Sequence, residues 1–158
     1  MRTYRRHGWL VLLVSALAIG APWPSVAQQP IQLGASISIT GTDAVQGGYV
    51  REGYLLCQKH VNEKGGVLGR PIQFVIHDDG SDGQTAIRIY EKLITEDKVD
   101  AVMGPYGSPI TEVVADVTEK HRKLMVAPAA GTTAIWEKGR RYLVMMLSPL
   151  EASTEGDA

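Results

Sequence analysis

Gly104-Pro105-Tyr106-Gly107-Ser108 follows a short apolar run, Val99 to Met103, and precedes an amphipathic stretch that begins near Ile110. A strand–loop–helix junction of this composition has the parts of an anion or carboxylate site. The N-terminus of a helix offers unpaired N–H groups and roughly half a unit of positive charge. Ser108 adds a hydroxyl, and Gly107 lets the backbone approach a ligand closely. Serine is also a common helix cap, and the spacing alone leaves both roles open. A second loop, Ala127-Pro128-Ala129-Ala130-Gly131-Thr132-Thr133, is built of small residues. Its exposed carbonyls could accept from a ligand ammonium, or the loop could be a tight connection with no ligand.

Other constellations carry less. Gly65-Gly66-Val67-Leu68-Gly69-Arg70 has glycines but follows a helix and precedes a strand, the reverse of a dinucleotide-binding turn. It reads as a helix cap and turn. His77-Asp78-Asp79 has one local histidine, so no metal site is expected, and the two aspartates are expected to fix a turn. Trp136 could belong to the core or form a wall beside the site. No GxSxG elbow is present and no histidine lies near Ser108 in sequence, so no catalytic set is expected. Neither catalysis nor a cofactor is expected of these residues.

These loops need elements to hold them. Ile31–Ile39 alternates as a strand. Gly48–Lys64 reads as a helix with Val50, Tyr54, Cys57 and Val61 on one stripe, ended by Gly65. Pro71–Ile76 is a second strand. Asp82 is expected to cap a helix running to about Asp97, with Ala86, Tyr90, Leu93 and Ile94 buried. Val99–Met103 is a third strand, and Ile110, Val113, Val114 and Val117 line a third helix. Leu124–Ala127 is a fourth strand, a helical turn falls near Ala134, and Tyr142–Leu147 is a fifth strand. Residues 148–158 could open another helix. The alternation implies an α/β fold with a doubly wound parallel sheet. Ligands then belong outside the carboxyl ends of the strands, at loops 40–48, 78–82, 104–108 and 128–133.

The chain has 158 residues, 44% hydrophobic and 21% charged, with a net charge of −1. No basic surplus points to nucleic acid. Met1–Ala27 reads as a secretory signal peptide: Arg2, Arg5 and Arg6 precede an apolar run from Trp9 to Ile19, and Ser25-Val26-Ala27 offers a cleavage site. That run is short for a membrane span. Removal of residues 1–27 would leave 13 basic residues against 17 acidic ones, a mature charge of −4. The expected location is the periplasm. Cys57, alone in an oxidising compartment, is expected to be a small buried hydrophobe.

An ordered set of segments then points further. Ile31-Gln32-Leu33-Gly34 with Thr40-Gly41 is followed by Asn62-Glu63-Lys64-Gly65-Gly66-Val67-Leu68-Gly69-Arg70, by Asp78-Asp79, by Lys98–Gly104 and by Ala127–Ala130. The set resembles the leucine/isoleucine/valine-binding family of periplasmic solute-binding proteins, which serve ABC importers. The resemblance implies a two-lobed hinged clamp, and residues 28–158 match part of the first lobe. A truncated fragment is therefore expected, with weak binding or none by the chain alone.

The resemblance also implies roles. Ser108, helped by the Gly107 backbone, would take the ligand carboxylate, and Ala129 would offer its backbone. Gly131, with Thr132 beyond it, stands where relatives place a hydroxyl for the ammonium. Gln46 stands at a first-loop position where some members bring an aromatic. Ser81 and Gly107 stand where some members carry a cysteine pair. The implied partners are a small solute, an amino acid or related carboxylate, and the membrane permease subunits of an ABC importer. A ligand-binding module of a sensory receptor, or less favourably an exported α/β hydrolase, would use the same fold.

Overall fold

A computed structural model describes residues 29–149. The expected signal peptide, and all but the first two residues of the 148–158 stretch, lie outside the described residues. Strands β1 (Ile31–Ile37), β2 (Ile72–Asp78), β3 (Ala101–Met103), β4 (Met125–Ala127) and β5 (Leu143–Met145) alternate with helices α1 (Ala44–Glu63), α2 (Gly83–Thr95), α3 (Ser108–Lys120) and α4 (Ala134–Glu137). All the strand pairings are parallel and the order is β2-β1-β3-β4-β5. The order reverses direction between β1 and β3. That junction is the topological switch point, where the loops leaving the two strands diverge and open a crevice.

Side-chain alternation on the strands assigns the helices to two faces. Ala35 and Ile37 of β1 pack with Tyr54 of α1, joined by Phe74, Ile76 and Met103. On the opposite face a larger core joins Ala86, Tyr90 and Leu93 of α2, Ile110, Val114 and Val117 of α3, and Val102 and Met125 of the sheet. Gly34 has no Cβ because one there would stand 3.1 Å from Leu93 and Val99.

Several sequence expectations are met in position. Asp82 caps α2 by accepting from the Thr85 N–H at 2.7 Å. Gly65 takes a positive φ of 92° after α1. Strands β1, β3, β4 and β5 are one to three residues shorter than read from periodicity, since pairing rather than hydrophobicity bounds them, whereas β2 starts one residue later than expected and runs on to Asp78.

Two expectations are corrected. Helix α1 begins at Ala44, not near Gly48. Gly47 lies in its first turn and packs so closely on the residue that follows β1 that a Cβ there would stand 2.1 Å from the Ser38 carbonyl oxygen. Tertiary contact thus overrides the poor helix propensity of the Gly47-Gly48 pair. Cys57 is exposed, not buried. The side of α1 that meets the sheet passes through Gly47, Tyr54 and Gln58, one position away from the cysteine. Gln58 Oε1 accepts from the Phe74 N–H at 2.7 Å. Asn62 exchanges two hydrogen bonds with Ile72, at 2.8 and 2.9 Å. One helix therefore satisfies the first outward-facing backbone groups of edge strand β2, which would otherwise invite another strand.

Candidate functional site

The crevice between β1 and β3 is framed by hydrogen bonds that originate in the sequence's acidic corner. Asp78 Oδ1 accepts from the N–H groups of Ile39, Thr40 and Gly80, and its Oδ2 accepts from the Thr40 hydroxyl at 2.7 Å. Burial pushes this carboxyl up, but the Thr40 hydroxyl and the three backbone donors outweigh it and hold it below its ordinary value. Asp79 is buried and accepts from the hydroxyls of Ser36 and Ser38 and from the Ser81 N–H. Ser81 in turn accepts from the Asp43 N–H and donates to the Thr40 carbonyl. The two aspartates fix the turn as expected, and they also staple the β1–α1 loop to the β2–α2 loop. His77 points elsewhere. Its Nε2 lies 3.8 Å from Asp97, too far for a hydrogen bond. Among the described residues no group of three or more His, Cys, Asp or Glu side chains could hold a metal.

The end of β3 is clasped from both faces of the sheet. Tyr54, from α1, donates to the Gly104 carbonyl at 2.6 Å, and Tyr90, from α2, donates to the Met103 carbonyl. Burial raises both phenols far above their ordinary range, so both stay protonated and remain donors. Gly104 then packs against β4, where a Cβ would stand 3.0 Å from Ala127 Cα.

From this fixed point the chain enters α3. Gly107, at φ 83° and ψ 144°, occupies the N-cap position and makes no side-chain cap. Ser108 is the first helical residue, so it does not act as the cap. Its Oγ instead accepts from the Thr132 N–H at 3.3 Å. Gly107 donates its N–H to the Ala129 carbonyl at 3.1 Å. The loop of small residues and the start of α3 are therefore bonded to each other at two points. Pro109 follows Ser108 and has no N–H, which leaves Ser108 and Ile110 as the first-turn amides aimed out of the helix.

The structure thus brings Gly107, Ser108, Ala129, Gly131 and Thr132 together at the carboxyl edge of the sheet. The Ala129 carbonyl and the Thr132 amide are already engaged within the protein, and Gly131 is buried. Gln46 does not lie on a loop. It is an exposed residue in the first turn of α1, because that helix starts early. Trp136 is half-buried on α4, and its indole N–H is enclosed without a protein acceptor. Sequence reasoning missed Tyr54 and Tyr90 as supports of the site. Each sits on an apolar stripe, and nothing local shows which carbonyl its hydroxyl meets.

A family model described as periplasmic binding protein matches residues 30–155. The chain belongs to the periplasmic binding protein family. Curated relatives agree with the resemblance to leucine/isoleucine/valine-binding proteins. The leucine-, isoleucine-, valine-, threonine- and alanine-binding protein of Pseudomonas aeruginosa is 31% identical over 132 residues, covering 83% of this chain and 35% of that one. Leu/Ile/Val-binding protein homolog 1 of Brucella abortus is 31% identical over 130 residues, covering 82% and 33%. Among solved structures, the branched-chain amino acid transporter substrate binding protein LivJ of Streptococcus pneumoniae, in complex with isoleucine, superposes with a TM-score of 0.72. It is 28% identical and covers 76% of this chain and 34% of that one. A solute binding protein of an ABC transporter from Rhodopseudomonas palustris, in complex with 3,4-dihydroxy benzoic acid, has a TM-score of 0.67 at 23% identity and supports the fold alone. This periplasmic binding protein chain spans about a third of the length of the curated relatives it matches.

Proposed function

We propose that the chain is first-lobe sequence of an exported solute-binding protein that delivers an amino acid or similar small carboxylate to an ABC importer. The supporting observation is the first turn of α3. It starts beside the switch point, presents the amides of Ser108 and Ile110, and carries a serine hydroxyl bonded to the small-residue loop. An anion at a helix N-terminus gains hydrogen bonds and a favourable dipole. The Pseudomonas aeruginosa relative is named for leucine, isoleucine, valine, threonine and alanine, each of which bears a carboxylate. Residues 1–27 would direct export and the permease subunits of the importer would be the protein partner.

Closure of two walls on a solute stabilises the closed state only through contacts with both. A single wall therefore binds weakly, in the millimolar range. Amide chemical shifts of the 15N-labelled chain test this during titration with L-leucine, L-isoleucine, L-valine and, lacking a carboxylate, isoamylamine. The amino acids should shift Ser108 and Ile110 saturably, and the amine should not. A folded spectrum in which those amides ignore every carboxylate, or follow the amine equally, would refute the reading.

A further inference from the structure

Helix α3 turns one polar stripe toward the segment that follows the small-residue loop. Ser108, Glu112, Asp116 and Glu119 are spaced four, four and three residues apart, which stacks them along one side of the helix. Each engages residues 132–142. Ser108 accepts from the Thr132 N–H, and Glu112 pairs with Lys138. Asp116 Oδ1 accepts from Arg140 Nε at 3.0 Å and Nη2 at 2.6 Å. Glu119 Oε2 accepts from the N–H groups of Arg141 and Tyr142 at 2.9 and 3.1 Å.

Arg140 is the centre of this seam. Its side chain is only 5% exposed, although its partner Asp116 is 70% exposed. It also donates Nη1 to the Ile135 carbonyl at 3.0 Å and Nη2 to the Glu112 carbonyl at 3.3 Å. Ile135 donates its own N–H to the Thr132 carbonyl at 3.2 Å. From Arg140 to the Ser108–Thr132 contact is thus a path of two hydrogen bonds and one residue of α4. A planar guanidinium with three acceptors in different directions has one seat, whereas a lysine ammonium could satisfy only part of the set.

We propose that Arg140 is a positioning residue for the carboxylate-binding turn. It fixes the 132–135 backbone relative to α3, and so sets the gap between Thr132 and the Ser108 and Ile110 amides. The inference rests on the function proposed above, and it assigns Arg140 no contact with the solute. Displacing a binding group by a fraction of an ångström to an ångström is enough to lose most of its contribution.

The test compares Arg140→Lys and Arg140→Gln with Val117→Ala, a destabilising change on the buried apolar side of the same helix. Three quantities are read on the full chain: L-isoleucine affinity from the Ser108 and Ile110 shifts, hydrogen exchange of the Thr132 amide, and thermal midpoint. Both Arg140 variants should lose about tenfold or more in affinity and should exchange Thr132 faster. Val117→Ala should lower the midpoint at least as much and leave affinity and Thr132 exchange unchanged. Wild-type affinity and Thr132 exchange in Arg140→Lys and Arg140→Gln would overturn the proposal, as would an equal affinity loss in Val117→Ala. Should the wild-type chain ignore L-isoleucine, the functional reading fails. The Thr132 exchange then still decides whether Arg140 holds the loop.

Discussion

Tyr54 and Tyr90 stand on opposite faces of the sheet and donate to consecutive carbonyls, Gly104 and Met103, at the end of β3. The strand end that carries the candidate site is held from both sides by phenols that burial keeps protonated. Tyr54→Phe removes one donor and leaves the Gly104 carbonyl without it, while the stacking on Phe74, at a centroid distance of 5.1 Å, survives. A loss of about 1.5 kcal/mol is expected, read from urea unfolding. Amide exchange at Gly107 should rise with it, since Gly104 anchors the loop that leads there.

Asp79 offers a sharper contrast. Asp79→Ala strips the acceptor from two buried serine hydroxyls and the Ser81 amide at once, and a cost on the order of 3 kcal/mol is expected. Asp79→Asn keeps one acceptor oxygen, and a serine hydroxyl can rotate to accept from the new amide. That variant should lose about 1 kcal/mol. Equal losses in the two variants, measured by denaturant unfolding, would argue that the charged carboxylate, and not the acceptor that asparagine retains, sets the cost.

Much of this arrangement was legible in the sequence, and the remainder was not for physical reasons. Stripes on α2 and α3, the Asp82 cap and the acidic corner are local patterns, and each stands where the sequence put it. The block from Asn62 to Arg70, the most specific part of the family resemblance, also gains a cause. Asn62 satisfies the β2 edge, Gly65, Gly66 and Gly69 take positive φ, and Arg70 donates to the Gln29 and Pro30 carbonyls. The start of α1, the exposure of Cys57 and the seat of Arg140 depend on partners in other elements, such as Ser38 for Gly47 and Asp116 for Arg140. A glycine pair reads as a helix breaker until Ser38 is known to press against one of them. An arginine in a polar stretch reads as solvated until three acceptors from α3 and α4 close around it.

Acid should act through carboxyls held below their ordinary values. For Asp78 the ordinary value is 3.8. For Glu91 it is 4.5, and the Lys120 ammonium is the leading cause of its lowering, opposed by burial and aided by His121. A carboxyl depressed by folding contributes stability that is fully present above its unfolded value. That contribution is lost as pH falls through the lower folded value. The urea midpoint should therefore drop between about pH 5 and about pH 2. Asp78→Asn should start lower at neutral pH and fall less steeply across the same range. A variant with the wild-type slope would show that Asp78 does not carry the acid limb.

The glycines of α1 make the closing prediction, because two in one helix should respond with opposite sign. Gly53 faces open space, with nothing within 4 Å of a built Cβ, and its φ is not positive. Gly53→Ala should stabilise the chain by about 0.8 kcal/mol through helix propensity and a less flexible unfolded state. Gly47 gains the same propensity from alanine, but its Cβ would stand 2.1 Å from the Ser38 carbonyl oxygen. Backbone cannot yield there without moving either β1 or the helix, so Gly47→Ala should cost about 3 kcal/mol. Thermal unfolding of the two single variants reads the sign directly. A neutral Gly47→Ala would mean that the first turn of α1 can detach from β1 at little cost.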